Sequence, residues 1–188
     1  METHTIFFIG KPGSGKGTQA KLLSEATGWP IRVMSDGLRE IIADGGVAGR
    51  KIEKDMNEGA LVPSWIPTYV FAKWLFALPK DGNIVFDGFN RKVPEAELIT
   101  SILRWIERPF TVINIAVSDE SVRTRLKLRK EIEGRVDDSV VDRRLEEYYA
   151  NTAPVRDFFR TEGVLIDIDG EPSPEEIFVD IKAKLGIA

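Results

Sequence analysis

The 188-residue chain contains no cysteine. That excludes disulfides, thiolate zinc sites and cysteine nucleophiles, and is compatible with a reducing cytosol. Histidine is nearly absent too: His4 is the single one, and its place beside the start of the first strand candidate predicts a solvent-facing residue, not an acid-base catalyst. Positive charge is not in excess, since 26 Lys and Arg stand against 30 Asp and Glu for a formal net charge of -4. Wholesale attraction to nucleic acid or to an anionic membrane is therefore not expected, and any anion site has to be built locally. Long hydrophobic runs are missing as well. The most apolar stretch, 62–79, is interrupted by Ser64, Pro67 and Lys73 and falls short of the roughly 20 apolar residues that span a membrane, so it reads as a buried helix. The N-terminus lacks a basic segment followed by an apolar stretch and a small-residue cleavage site, so no signal peptide is expected and a cytoplasmic location is.

What is present suits one compact domain. With 43% hydrophobic and 30% charged residues, the chain can bury a single core, whereas two full domains would be cramped at this length. Short apolar, β-branched and aromatic runs at 5–10, 31–34, 83–87, 111–117 and 164–168 read as buried parallel strands. Helical patterns fill the intervals at 17–27, 38–44, 51–58, 66–78, 94–105, 120–130, 140–150, 155–162 and 174–184. This alternation predicts an α/β fold, a parallel five-stranded sheet with helices on both faces. Two connections exceed a simple crossover. Roughly 50 residues separate the second and third strands, enough for a helical subdomain, and two basic helices follow one another between 120 and 150 without a strand. Ligands of such sheets sit beyond the carboxyl ends of the strands, within reach of both excursions.

Directly after the first strand comes Gly10-Lys11-Pro12-Gly13-Ser14-Gly15-Lys16-Gly17-Thr18-Gln19, and a helix pattern follows at once. Glycines at 10, 13, 15 and 17 allow a tight loop whose N–H groups point inward, the helix N-terminus adds partial positive charge, and Lys16 adds a full one. Together they form a polyphosphate cradle. A strict P-loop has Ser or Thr straight after the lysine; here Gly17 stands there, with Thr18 next.

A Gly-Lys-Gly-Thr ending with proline in the loop resembles adenylate kinases and their nucleoside monophosphate kinase relatives, and the resemblance runs over nearly the whole chain. Ser35-Asp36-Gly37-Leu38-Arg39 resembles the family's S-T-G-D-L-L-R segment, and Gly59-Ala60-Leu61-Val62-Pro63 its G-x-L-V segment. Asp87-Gly88-Phe89-Asn90-Arg91 resembles D-G-F-P-R, with Asn90 in place of proline, and Thr152-Ala153-Pro154 matches a helix-break signature. The resemblance implies a P-loop NTPase core (1–34, 64–124 and 145–188), an acceptor-binding subdomain (35–63) and a short lid (125–144). It further implies Mg2+ with ATP as donor and a nucleoside monophosphate as acceptor. Only residues 130–134 separate the basic helix from Arg135, which resembles the lid form without an inserted zinc-bearing segment, so no structural zinc is expected. A monomer is expected.

Residue by residue, Asp87 ends an apolar strand and is expected to hold magnesium through water. Planar guanidinium groups suit phosphate oxygens and stay charged, so Arg91 and Arg39 are expected on the acceptor phosphate. On a helix Arg125 and Arg129 share one face and Arg123 and Lys127 another, roughly 200° apart at about 100° per residue. Periodicity cannot choose between them; the family match assigns Arg125 and Arg129 to the donor nucleotide, with Arg135 and Arg144 near the transferring group. The donor set is thus Gly13, Ser14, Gly15, Lys16, Gly17, Thr18, Arg125 and Arg129. The acceptor set is Met34, Arg39, Ala60, Leu61, Val62, Gly88, Arg91, Glu95, Arg135 and Arg144, and the catalytic set is Lys16, Asp87, Arg91, Arg129, Arg135 and Arg144.

Glu95 replaces the family's usual glutamine at the acceptor base, and Met34 a usual threonine. An ionised carboxylate only accepts hydrogen bonds and suits guanine's two donors better than adenine. AMP is nonetheless the first expectation, with GMP or a pyrimidine monophosphate in reserve. Two other readings are a non-catalytic nucleotide sensor, which the survival of Lys16, Asp87, Arg91 and the lid arginines disfavours, and another small-molecule P-loop kinase, which leaves the Asp-Gly-Phe-Asn-Arg segment to chance.

Overall fold

The computed structural model describes residues 4–58, 60–79, 82–133 and 141–187. Among them are five strands, β1 (Thr5–Gly10), β2 (Ile31–Val33), β3 (Ile84–Asp87), β4 (Thr111–Ala116) and β5 (Leu165–Asp169). All pair in parallel in the order β2-β3-β1-β4-β5. The helices are α1 (Lys16–Thr27), α2 (Met34–Ala43), α3 (Val47–Asn57), α4 (Trp65–Phe76), α5 (Val93–Trp105), α6 (Asp119–Glu133), α7 (Val141–Glu147), α8 (Ala153–Thr161) and α9 (Pro174–Leu185). No helix among the described residues is long and apolar enough to cross a membrane.

Alternation along β1 builds a core on each face. Phe7 and Ile9 join Ile84, Phe86 and Val112 under α4, α5 and α8, which contribute Phe71, Ile99, Leu103 and Phe159. Ile6 and Phe8 join Val85, Ile113 and Ile115 under α1 and α9, through Leu23, Ile177 and Ile181. A sheet buried on both sides needs apolar residues at successive positions, which is why these strands read as runs instead of alternations. The first layer also fixes the loop after β3. Phe86 stacks on Phe7 at 5.1 Å and meets Phe89 edge-on at 5.2 Å, so the phenylalanine of the Asp-Gly-Phe-Asn-Arg segment is an anchor for its polar neighbours.

Strand positions lie within a residue or two of expectation, but several helical features differ, as does the place of His4. Helix α2 begins at Met34 instead of 38, although Ser, Asp and Gly in that stretch favour caps and turns. Packing decides: Met34 and Leu38 are buried one turn apart, and a Cβ on Gly37 would lie 2.4 Å from Val70 Cγ1. Gly37 is thus a point of helix contact with α4. The helix expected over 140–150 is α7 followed by a π-turn, Tyr148–Thr152, and Thr152-Ala153-Pro154 widens the helix without breaking it. Pro154 has no N–H to offer the carbonyl of Ala150, and Ala153 N–H donates to Tyr148 O, the wider spacing of a π-turn. His4 is not solvent-facing: it is half-buried and stacks on Trp29 at 4.9 Å, since the strand start draws its ring against the apolar surface beneath.

Candidate active site

The loop after β1 turns through Gly13 (φ 71) and Gly15 (φ 97), left-handed geometry that costs glycine nothing. Helix α1 then starts on Lys16, whose ammonium folds back to donate to Lys11 O at 2.6 Å, Gly10 O at 2.9 Å and Ser14 Oγ at 3.4 Å. The residue keeps partial exposure along its stem, but its charged end is enclosed. That desolvation, reinforced by Arg91, Arg144 and Arg129 and opposed by Asp87, brings Lys16 down from the usual 10.5 to about 7.

These same groups define the site. Lys16, Asp87, Arg91, Arg129 and Arg144 come from the first loop, the end of β3, the segment after it, α6 and α7, yet all lie close enough to act on one ammonium. Register explains Asp87: it sits beside Phe8 of β1 and Val33 of β2, at the carboxyl end of the sheet. A Cβ on Gly17 would come within 3.3 Å of Asp87 Oδ2, so the glycine that departs from the strict P-loop pattern keeps the space next to this carboxylate clear. Among the described residues no three His, Cys, Asp or Glu side chains gather, so magnesium beside Asp87 would draw most of its ligands from water and phosphate oxygens, as that ion does at nucleotide sites.

Helix α6 shows which basic face turns toward the loop. Arg125 donates to Gly170 O at 2.8 Å and Ser14 O at 3.4 Å, while Arg123 pairs with Asp142 of α7. The 125/129 face therefore lies against the phosphate loop and the 123 position against the returning helix. Gly13 follows from the same packing, since a Cβ there would meet Leu126 at 3.0 Å. Ser14 is buried, and Gly17 and Thr18 are exposed at the start of α1. Arg135 lies outside the described residues.

At the acceptor end, a Cβ on Gly88 would touch both Met34 Cβ and Arg91 Nη2 at 3.4 Å, which places these three residues together. Lys92 reaches Leu61 O at 3.4 Å and Val62 O at 3.3 Å, tying the segment that includes Ala60 to the loop carrying Arg91. Arg39 is not gathered in: its guanidinium bonds Asp36 at 2.7 Å and Ser35 at 3.2 Å on the exposed side of α2. Glu95 is only 3% exposed, and its two oxygens accept from the backbone N–H groups of Asn90 at 2.7 Å and Arg91 at 3.1 Å. Buried amides need acceptors, and this carboxylate serves two of them. Burial pushes Glu95 up from its usual value while the two amides hold it down.

One cluster has no local signal in the sequence. Lys11 Nζ lies 2.5 Å from Asp119 Oδ1, which also accepts from Tyr149 OH at 2.7 Å. Burial opposes the charge on Lys11, but these two partners outweigh it and hold its pKa up. The phosphate loop is thereby joined to the start of α6 and to the π-turn. The same turn holds the acceptor side, because Thr152 Oγ1 donates to Arg91 O at 2.9 Å.

A sequence model of the adenylate kinase family matches residues 8–164. The chain is 35% identical over 185 residues to the adenylate kinase of Thermus thermophilus, covering 97% of both. It is 37% identical over 183 residues to that of Hyphomonas neptunium, covering 96% of this chain and 97% of the relative. The adenylate kinase of Archaeoglobus fulgidus is 31% identical over 210 aligned positions, again at 96% and 97% coverage.

Proposed function

Because the chain belongs to the adenylate kinase family, we propose that it reversibly transfers the terminal phosphoryl group of magnesium-bound ATP to AMP, giving two ADP. The observation that carries this reading is the gathering of Asp87, Arg91, Arg129 and Arg144 near enough to act on the Lys16 ammonium, with Asp87 at the carboxyl end of its strand. Phosphoryl transfer of this type has a loose transition state whose charge spreads over the equatorial oxygens, so positioned cations matter more than an acid-base pair.

The loop amides from Gly13 to Thr18 and the N-terminus of α1 hold the donor phosphates. Lys16 exchanges its loop carbonyls for the β and γ oxygens, Arg125 braces Ser14 at the donor end, and Arg129, Arg135 and Arg144 neutralise charge on the migrating group. On the acceptor side Arg91 holds the monophosphate, with Arg39 joining it when 35–63 closes, while Met34, Gly88 and the 60–62 segment enclose the nucleoside. Asp87 would hold magnesium, which when bound would supply charge neutralisation on the phosphate oxygens. Closure of 35–63 and 125–144 keeps water from the phosphoryl group. The working unit is a cytoplasmic monomer.

GMP drew its support from an ionised Glu95 at the base, and a carboxylate only 3% exposed that already accepts from two backbone amides weakens that support. Steady-state assays with ATP and each of AMP, GMP, CMP and UMP test the reading. AMP is expected to give the highest kcat/KM; a higher value with any other acceptor overturns the assignment of AMP.

Lys16 makes a second prediction. In the free protein its pKa is about 7, whereas a bound polyphosphate favours the ammonium and raises it. At pH 8 the free lysine is therefore largely neutral and the bound one charged, so binding draws in about 0.9 proton per ATP. Calorimetric titrations with ATP in buffers of different ionisation enthalpy measure this uptake directly; release of protons, or no exchange, contradicts the assignment of Lys16 to the phosphates.

A further inference from the structure

Asn90, in the turn from Asp87 to Arg91, and Glu95, in the first turn of α5, both depart from the family's pattern. Asn90 has φ 59, a left-handed conformation that asparagine tolerates and the proline ring forbids. Its N–H donates to Glu95 Oε1 at 2.7 Å, a bond that proline, lacking the proton, cannot make. The same carboxylate takes the Arg91 N–H at 3.1 Å through its other oxygen. Asn90 is fully buried, and neither polar atom of its side chain has a hydrogen-bond partner among the described residues. Leaving an amide unpaired costs stability, so what recommends asparagine here is its backbone: a left-handed turn with a proton to give.

The turn holds Arg91 from three sides. Glu95 fixes its N–H, Thr152 Oγ1 its carbonyl at 2.9 Å, and Gly88 O accepts from its Nε at 3.1 Å. The guanidinium is otherwise exposed and aimed from a backbone that cannot drift. We propose that Glu95 is a positioning residue for Arg91, acting with Asn90 as a matched pair, so that it governs the hold on the acceptor's phosphate and leaves the acceptor's base unread. This rests on the phosphoryl-transfer reading above, but the two fail differently: that reading fails if the unaltered protein forms no ADP, this one only if an active protein responds wrongly to the changes below.

The test uses AMP and adenosine, which share a base while only AMP carries a phosphate. In Glu95→Gln the amide keeps one acceptor and turns its NH2 group toward the second backbone N–H. The KM for AMP is expected to rise about tenfold, in line with losing a hydrogen bond to a charged group, while the inhibition constant of adenosine stays within about twofold. Unchanged ATP affinity, measured by calorimetry on the same variant, shows that the fold is intact. Asn90→Gly retains the left-handed turn and the N–H and is expected to keep the KM for AMP close to that of the unaltered protein, whereas Asn90→Pro raises it. The double variant Asn90→Pro/Glu95→Gln is expected to lose less than the product of the two single losses, because proline asks for no acceptor and glutamine then serves Arg91 alone. The proposal is overturned if Glu95→Gln weakens adenosine and AMP in step, the mark of a base-reading residue, or if Asn90→Pro behaves like Asn90→Gly. Should Glu95→Gln fail to bind ATP, the comparison of Asn90→Gly with Asn90→Pro decides alone.

Discussion

Lys16→Met slows ADP formation by about 10³-fold, the scale of removing one preorganised cation from a phosphoryl-transfer site. The argument is geometric and electrostatic. The ammonium is already inside the loop, bonded to Gly10 O and Lys11 O at 2.9 and 2.6 Å, so it needs only to swing from loop carbonyls to phosphate oxygens. Methionine has nearly the same length and volume but brings no charge. The loop is also held by its turns at Gly13 and Gly15 and by the packing of Leu126, so the variant is expected to fold. Its melting transition remains cooperative, and the loss falls mainly on kcat, because the ammonium is placed to meet the redistributed charge of the transition state more than that of bound ATP. Near-normal turnover by Lys16→Met would remove Lys16 from the mechanism.

Arg91→Ala has the second large effect, expected at about 10³-fold in kcat/KM with AMP as the varied substrate. The backbone of Arg91 is held on both sides, by Glu95 and by Thr152, and its side chain also touches the Gly88 carbonyl at 3.1 Å. Alanine retains both backbone bonds, so the turn survives and the loss belongs to the guanidinium. Arg91→Lys is expected to recover only a small part, since an ammonium cannot match two phosphate oxygens with a planar fork. Stopped-flow binding of AMP beside steady-state rates separates the weakened binding from the slowed transfer. A variant with Arg91→Ala that binds AMP normally and turns over normally contradicts the acceptor assignment.

Local chemistry made the phosphate loop readable from sequence alone: glycine spacing, a lysine and a following helix are all neighbours in the chain. Asp87 was readable for a related reason, because a carboxylate closing an apolar strand has one place to go in a parallel sheet. What could not be read depends on partners far away in sequence. Gly37 looks like a turn residue until Val70 is found 2.4 Å from where its Cβ would be. Lys11, Asp119 and Tyr149 form one hydrogen-bonded group, yet no spacing rule connects a loop lysine to residues more than a hundred positions later. Glu95 illustrates a third limit. Residue type and family position pointed to the base, whereas the bonds of its carboxylate to the Asn90 and Arg91 amides go with the left-handed turn at Asn90, a backbone detail that a helical pattern beginning at 94 cannot express. The choice between the faces of α6 was likewise undecidable by periodicity and is settled by the Arg123–Asp142 pair and the Arg125 contacts with the loop.

The central claim is that this site passes a phosphoryl group between nucleotides and withholds it from water. A single-turnover experiment with ATP labelled at the γ phosphorus, excess enzyme, magnesium and AMP addresses it directly. The label is expected in the β position of newly formed ADP, at a rate at least about 10²-fold above its appearance as inorganic phosphate. Label that emerges chiefly as inorganic phosphate, or that stays in bound ATP while AMP is present, contradicts the account.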